Sequence, residues 1–295
     1  MRELPARRSC LSVPGSSAKM LAKAPTVGAD ELVLDLEDAV EAGGKDRARS
    51  LVVDALASAP YAGYGVAVRI NAPGTAWCHA DVLALAAAPR QPGSIVVPKI
   101  ESAGDLAFIE RLLDGAEAAA GRAPALRVQA LIETARGLVR VNEIAAASSR
   151  LDALIVGYAD LAASLGRSAA GAGDLDGWRS VQESVLIAAR AFGVQAIDGP
   201  HLAVAVDEGF LAAAARARDA GFDGKWAIHP SQVASLNELF TPTAAELQWA
   251  RDVVAALDAA RAEGRGAVAL DGEMLDEALR VAALRTLSRA PERAR

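Results

Sequence analysis

Residues 127–160, RVQALIETARGLVRVNEIAAASSRLDALIVGYAD, decide how the rest of the chain is read. Two short runs rich in β-branched residues and leucine, Arg127–Ile132 and Ala153–Val156, flank a segment, Leu138–Ala147, whose apolar residues recur at helical spacing. Strand, helix and strand in that order make a parallel crossover unit, which closes with right-handed chirality. A carboxylate follows each strand, Glu133 at once and Asp160 within one short turn.

The same unit recurs in both directions. Comparable strand-like runs are Cys10–Val13, Glu31–Leu36, Val66–Ile70, Ser94–Pro98, Ala196–Ile197 and Trp226–Ile228, with alanine- and leucine-rich segments such as Leu106–Ala120 and Leu175–Phe192 between them. Eight strands alternating with helices predict a closed (β/α)8 TIM barrel, for which about 235 residues is an ordinary size. An open doubly wound sheet is the alternative. It loses because no strand is followed by a GxGxxG phosphate loop. After His229 and Pro230 the pattern changes. Thr243–Ala262 reads as one helix, with Thr243 as N-cap and Glu246 at capping-box spacing. Gly264–Gly266 reads as a linker and Leu275–Ser288 as a further amphipathic helix. The expected division is a barrel over 1–238 and a C-terminal helical extension over 239–295.

Composition narrows the function classes. Of 295 residues, 52% are hydrophobic and 23% charged, enough apolar material for a large core and too much for disorder. A net charge of −6 argues against general nucleic-acid binding, and 4% aromatic content against a base-stacking platform. Cys10 and Cys78 alone make neither a disulfide scaffold nor a cysteine-only zinc site. Residues 1–10, MRELPARRSC, lead into no apolar signal core, and no stretch approaches the roughly 18 apolar residues of a membrane span. We therefore expect a soluble cytoplasmic protein with no nucleic-acid or membrane partner.

A barrel of this kind builds its active site just beyond the C-terminal ends of its strands. At those places stand Pro14-Gly15, then Asp35-Leu36-Glu37-Asp38, Arg69 and Asn71, Lys99 and Glu101, Glu133, Gly157 and Asp160, Asp198, and His229. Carboxylates without accompanying histidines suit a hard cation such as Mg2+, which takes one or two carboxylates and keeps positions open for water and substrate. Glu133 and Asp160 follow neighbouring strands, so the pair reads as metal-ligating, although each alone reads equally well as a solvated loop carboxylate. Asp38 reads equally as a cap for the next helix. Arg69 ends the apolar run VAVRI and must face either a carboxylate or a substrate anion. An ion pair with the DLED cluster competes with the substrate role, and the two are compatible. A Schiff-base role for Lys99 is disfavoured, since nothing adjacent argues for a depressed pKa. His229 reads as a general base or as a rim histidine held by hydrogen bonds. Residues 1–23 carry Arg2, Arg7, Arg8, Lys19 and Lys23 against Glu3, whereas residues 30–41 carry six acidic groups and no basic one.

The blocks RSCLSVPGSSAKM, GADELVLDLEDAV, VRIN, VPKIES, LIETARG, GYADLAASLG, GFDGKWAIHPSQ and DGEMLDEAL run in that order from residue 8 to residue 280. Together they resemble the citrate lyase β-subunit-like (HpcH/HpaI aldolase/citrate lyase) family. The resemblance implies a (β/α)8 barrel with a C-terminal extension acting as lid and oligomer contact, assembled as a homotrimer or hexamer with shared active sites. It implies a Mg2+-dependent carbon–carbon lyase acting on 3-hydroxyacyl-CoA thioesters such as malyl-, citramalyl- or citryl-CoA. The alternatives are a thioesterase on the same substrates, a metal-dependent aldolase on free hydroxy-keto acids, and a regulatory or scaffold subunit. The intact set of Arg69, Glu133, Asp160 and Asp276 argues against the last. Motif by motif, the resemblance makes Glu133 and Asp160 the metal ligands and puts Arg69 on the substrate carboxylate or thioester oxygen. Glu37 and Asp38 would hold metal waters and Arg69. Lys19, Lys23 and more weakly Lys45 would meet the CoA phosphates, and Asp276 would act as catalytic acid or base in a neighbouring subunit's site. Taken alone, Asp276 reads as a first-turn carboxylate favoured by the helix dipole. Many relatives carry acidic residues where this chain has Ala159 and Ser164.

Overall fold

Segments of four to six residues, most of them built around valine, isoleucine or leucine, form eight parallel strands in the computed structural model, which describes residues 5–167, 176–270 and 272–290. The strands are β1 Ser9–Pro14, β2 Glu31–Asp35, β3 Gly65–Arg69, β4 Ser94–Val97, β5 Arg127–Ile132, β6 Leu151–Val156, β7 Gln195–Asp198 and β8 Gly224–Ala227. They hydrogen-bond in chain order, and β8 returns to β1, so the sheet has no edge. Every residue of β2, β4, β6, β7 and β8 is buried, as expected of strands covered on both faces. The barrel interior is filled from alternate positions, among them Cys10, Val33, Ala67, Val96, Leu131, Ile155, Ile197 and Trp226.

Arg7 lies beneath this interior, at the N-terminal end of the strands. Its buried guanidinium donates to Glu31 Oε1 at 2.9 Å and Gln195 Oε1 at 2.5 Å, and lies 3.5 Å from Asp152 Oδ2. Gln129 Nε2 closes the set by donating to both Glu31 oxygens and to Ser94 Oγ. Arg8, next in sequence, grips Asp30 with its amide and guanidinium. Two of the basic residues near the N-terminus are thus consumed by the fold.

The chain divides into two compact units, Met1–Asn237 and Glu238–Arg295. In the second, the helix Ala244–Ala262 starts with both halves of a capping box: Thr243 Oγ1 accepts from the Glu246 amide, and Glu246 accepts from the Thr243 amide. An antiparallel pair, β9 Val268–Leu270 and β10 Glu273–Leu275, precedes the helix Glu277–Ser288. Ala250, Val253, Leu257, Leu275 and Ala283 form this unit's core.

Several boundaries differ from the sequence reading. Leu275 ends β10 and does not open the last helix, because three-residue strands are too short to show alternation. The segment expected as one helix over Leu138–Ala147 is two, Ala135–Val139 and Val141–Ala146, broken at Arg140 where the backbone leaves the helical region. The helix expected from Leu175 runs over Arg179–Ala191, and Leu175 itself lies outside the described residues.

Removing Arg7 would take from the buried Glu31 its guanidinium partner, whereas Asp152 keeps its ion pair with Arg127 at 2.9 Å. Arg7→Met should cost about 3–5 kcal/mol of folding free energy in a urea titration; a loss below about 1 kcal/mol would show that the floor is not held by this ion pair.

Candidate active site

The site starts from the register of β2 against β3, which places Asp35 opposite Arg69 at the ends of both strands. Arg69 Nε donates to Asp35 Oδ1 at 2.8 Å and Nη2 to Asp35 Oδ2 at 2.6 Å, a bidentate fork. Its Nη1 lies 2.9 Å from Glu37 Oε2 and 3.7 Å from Asp38 Oδ2, and the Trp226 ring centroid is 5.9 Å from the guanidinium carbon. Burial opposes the charge on Arg69, but Asp35 and then Glu37 and Asp38 more than offset it and raise the pKa further. The same Asp35 carboxylate accepts the amides of Glu37 at 2.8 Å and Ala39 at 3.1 Å, so it folds the DLED turn around itself. Asp38 is exposed and caps no helix; the following helix, Lys45–Ala57, has Gly44 at its cap.

Glu37 is buried. Burial raises its pKa, with Arg69 and a hydrogen bond from Lys99 working the other way. Lys99 Nζ donates to Glu37 Oε1 at 2.7 Å and lies 3.5 Å from Asp160 Oδ1, while the Lys99 amide donates to Glu133 Oε1 at 2.8 Å. Burial works against this ammonium, yet Glu37, Glu133 and Asp160 lift its pKa above the usual range. A protonated amine is no nucleophile, which removes the Schiff-base reading.

Glu133, directly after β5, is 2% exposed, and its pKa is pushed up to about 8 by burial and then by Glu37 and Asp160. The cluster has more negative charge than Lys99 alone can balance. Glu133 lies on the backbone of Gly157, where a Cβ would come within 2.5 Å of Glu133 Cβ and 2.7 Å of Oε2. Only glycine fits at 157, and that gives Glu133 its place. Asp160, half-exposed, stands in the first turn of the helix Tyr158–Ser164. No three His, Cys, Asp or Glu side chains among the described residues converge closely enough to enclose a metal ion. The donor set fits a cation held by two carboxylates, with its other ligands from water or substrate.

The remaining expected residues are scattered. Lys19 and Lys23 are exposed on the helix Ala18–Lys23. Lys45 corrects the sequence reading: it is 7% exposed, and its ammonium donates to the carbonyls of Leu36 at 2.9 Å and Glu37 at 2.7 Å, so it braces the DLED turn and is unavailable to a phosphate. Asp276 is an exposed N-cap for the helix Glu277–Ser288, accepting from the amides of Ala278 and Leu279. His229 is exposed, with Nδ1 at 2.8 Å from Ser231 Oγ. Asp198 belongs to a buried network with Tyr158, Gln182 and Lys225. Ser164 Oγ accepts the amide of Ala135 at 2.9 Å. The sequence names the DLED cluster as a partner for Arg69 without singling out Asp35, and it assigns Lys99 no part in holding the carboxylates. For Asp35 the signal was present, since it and Arg69 are strand-terminal residues of adjacent strands.

The model of the HpcH/HpaI aldolase/citrate lyase family matches residues 8–230. An L-malyl-CoA/beta-methylmalyl-CoA lyase of Rhodobacter capsulatus is 37% identical over 290 residues, covering 92% of this chain and 91% of its own. A (3S)-malyl-CoA thioesterase of Cereibacter sphaeroides is 37% identical over 283 residues, covering 96% and 94%. Among solved structures, CitE from Mycobacterium tuberculosis in complex with magnesium, acetoacetate and coenzyme A superposes with TM-score 0.77 at 37% identity, over 97% of this chain and 98% of that one. A citrate lyase from Burkholderia xenovorans gives TM-score 0.87 at 27% identity, over 99% and 95%.

The cradle at Gly157 can be tested alone. Gly157→Ala should displace Glu133 and lower turnover about 100-fold while the fold is kept; near-native turnover with a native circular dichroism spectrum would show that Glu133 does not need this seat.

Proposed function

The chain belongs to the HpcH/HpaI aldolase/citrate lyase family, and on that footing we propose that it is a Mg2+-dependent lyase that reversibly cleaves a 3-hydroxyacyl-CoA thioester of the malyl-, citramalyl- or citryl-CoA class into a keto acid and an acyl-CoA. The observation that carries this reading is the cation-deficient cluster of Glu133, Asp160 and Glu37 at the barrel rim beside a guanidinium fixed by Asp35. Glu133 and Asp160 would hold the ion. When bound, Mg2+ supplies Lewis acidity to the hydroxyl and carboxylate oxygens of the acyl group.

The protein's own groups do the rest. As the carbon–carbon bond breaks, the acyl hydroxyl gives up its proton to water at the rim and becomes the carbonyl of the keto acid. The electron pair leaves as an enolate on the thioester fragment, whose oxygen needs a positive donor already in position. Arg69 meets that need. The Asp35 fork locks its plane, so little reorganisation accompanies the development of charge. Glu37 and Asp38 steady the exposed face of Arg69 and orient water at the rim. The enolate carbon must then take up a proton in the cleavage direction or lose one in the synthetic direction, and Asp276 of a neighbouring copy is our candidate acid and base. Lys19 and Lys23 present two flexible ammonium groups suited to the phosphates of CoA. The C-terminal extension would serve as lid and oligomer contact in a homotrimer or hexamer. Two buried free cysteines suit a reducing cytoplasm, and no helix among the described residues is long and apolar enough to cross a membrane.

Hydrolysis of the same thioester is the second reading, supported by the thioesterase relative at 37% identity. A panel of hydroxyacyl-CoA substrates with Mg2+ separates them. A lyase yields a keto acid and an acyl-CoA without releasing thiol; immediate release of free thiol without a keto acid would establish the hydrolase. Cleavage of free hydroxy-keto acids with indifference to CoA would overturn both. Glu133→Gln should lower Mg2+-dependent turnover by about two to three orders of magnitude while the protein stays folded. Neither Arg69→Ala nor Asp276→Ala homo-oligomers should turn over. Mixed oligomers of the two should regain part of the wild-type rate, and no recovery in confirmed mixtures would refute a donated Asp276.

A further inference from the structure

Lys99 touches all three carboxylates of the rim cluster through two different groups. The ammonium serves Glu37 and Asp160, and the backbone amide serves Glu133. The residue holds this pose with φ 52°, the one non-glycine residue at positive φ among the described residues. Left-handed backbone is unfavourable for a lysine, and such a conformation persists only where its surroundings over-determine it. Here the surroundings are the cluster itself.

The neighbouring cations are otherwise engaged. Arg69 is forked onto Asp35 and shares its last nitrogen with Glu37, and Lys45 is turned to backbone carbonyls. Among the described residues, Lys99 is the cation that pairs with both Glu37 and Asp160. A divalent ion taking Glu133 and Asp160 enters the field of an ammonium 3.5 Å from one of its ligands, and like charges at such range in a partly desolvated site repel strongly.

We propose that Lys99 is a positioning residue that acts as a built-in counter-cation: it keeps the rim carboxylates together in the metal-free protein and holds down the site's affinity for Mg2+, so that the ion remains exchangeable. This rests on the reading that Glu133 and Asp160 hold the ion. The ammonium and the amide have separable duties. The amide fixes Glu133, and the charge sets the affinity.

Glycine and asparagine both accept positive φ and retain the amide, so Lys99→Gly and Lys99→Asn remove the charge and leave the backbone contact. Calorimetric titration of Mg2+ into the substrate-free protein should show binding about tenfold tighter in both variants than in the wild type. The rise in melting temperature on adding Mg2+ should be correspondingly larger. A merely structural lysine predicts the opposite sign, because a disturbed site binds more weakly. Unchanged or weaker binding in either folded variant would overturn the proposal. A wild-type protein that binds no Mg2+ at all would instead remove the metal-site reading on which it stands.

Discussion

Asp35 and Arg69 face each other as the last residues of adjacent strands, and the rim is assembled outward from that pair. The fork takes both Asp35 oxygens, which also receive the amides of Glu37 and Ala39, so one carboxylate shapes the turn and fixes the cation. The turn delivers Glu37 to Arg69 and Lys99, Lys99 delivers its amide to Glu133, and Glu133 sits against Gly157. Each contact sets the next. Breaking the first would leave a buried carboxylate unpaired and free the turn that carries Glu37, so the cost would reach beyond one ion pair.

The two ends of the barrel treat buried charge in opposite ways. At the floor, Arg7 meets Glu31, Asp152 and Gln195 in a nearly dry, internally paired set, an arrangement that contributes rigidity. At the rim the acids outnumber the bases within reach, and Glu133 is pushed up to about 8. An under-compensated cluster of this kind costs stability in isolation. It becomes an asset where a cation and an anionic substrate arrive together, which is why strongly shifted groups collect at functional sites.

The fold and the rim were legible in the sequence for different reasons. Barrel strands buried on both faces show as uninterrupted apolar runs, so even four-residue strands such as Ser94–Val97 stood out between helical segments. The strand-end rule then pointed to Arg69, Glu133 and Asp160 without knowledge of any contact. What stayed hidden depended on direction. Lys45 looks like any surface lysine until the helix Lys45–Ala57 turns it inward, and nothing in its neighbours in sequence signals two carbonyl acceptors. The positive φ of Lys99 was equally invisible, since lysine is among the last residues one would place there. The β9–β10 pair failed to register because three residues do not make a period.

The lyase and the thioesterase relatives are equally identical to this chain, so similarity does not choose between the two reactions. The difference lies in whether a water can be activated at the thioester carbon. Both reactions need a proton acceptor, for the attacking water in one and for the acyl hydroxyl in the other, and carbon–carbon cleavage needs in addition a donor at the enolate oxygen and an acid for its carbon. In this chain Glu37 is committed to Arg69 and Lys99, and Ser164 is occupied by the amide of Ala135. Ala159, exposed beside Asp160, has no proton to take or give. The rim thus offers a well-anchored guanidinium, the kind of fixed positive donor that carbon–carbon cleavage requires at the enolate oxygen and that thioester hydrolysis can also turn on the carbonyl oxygen.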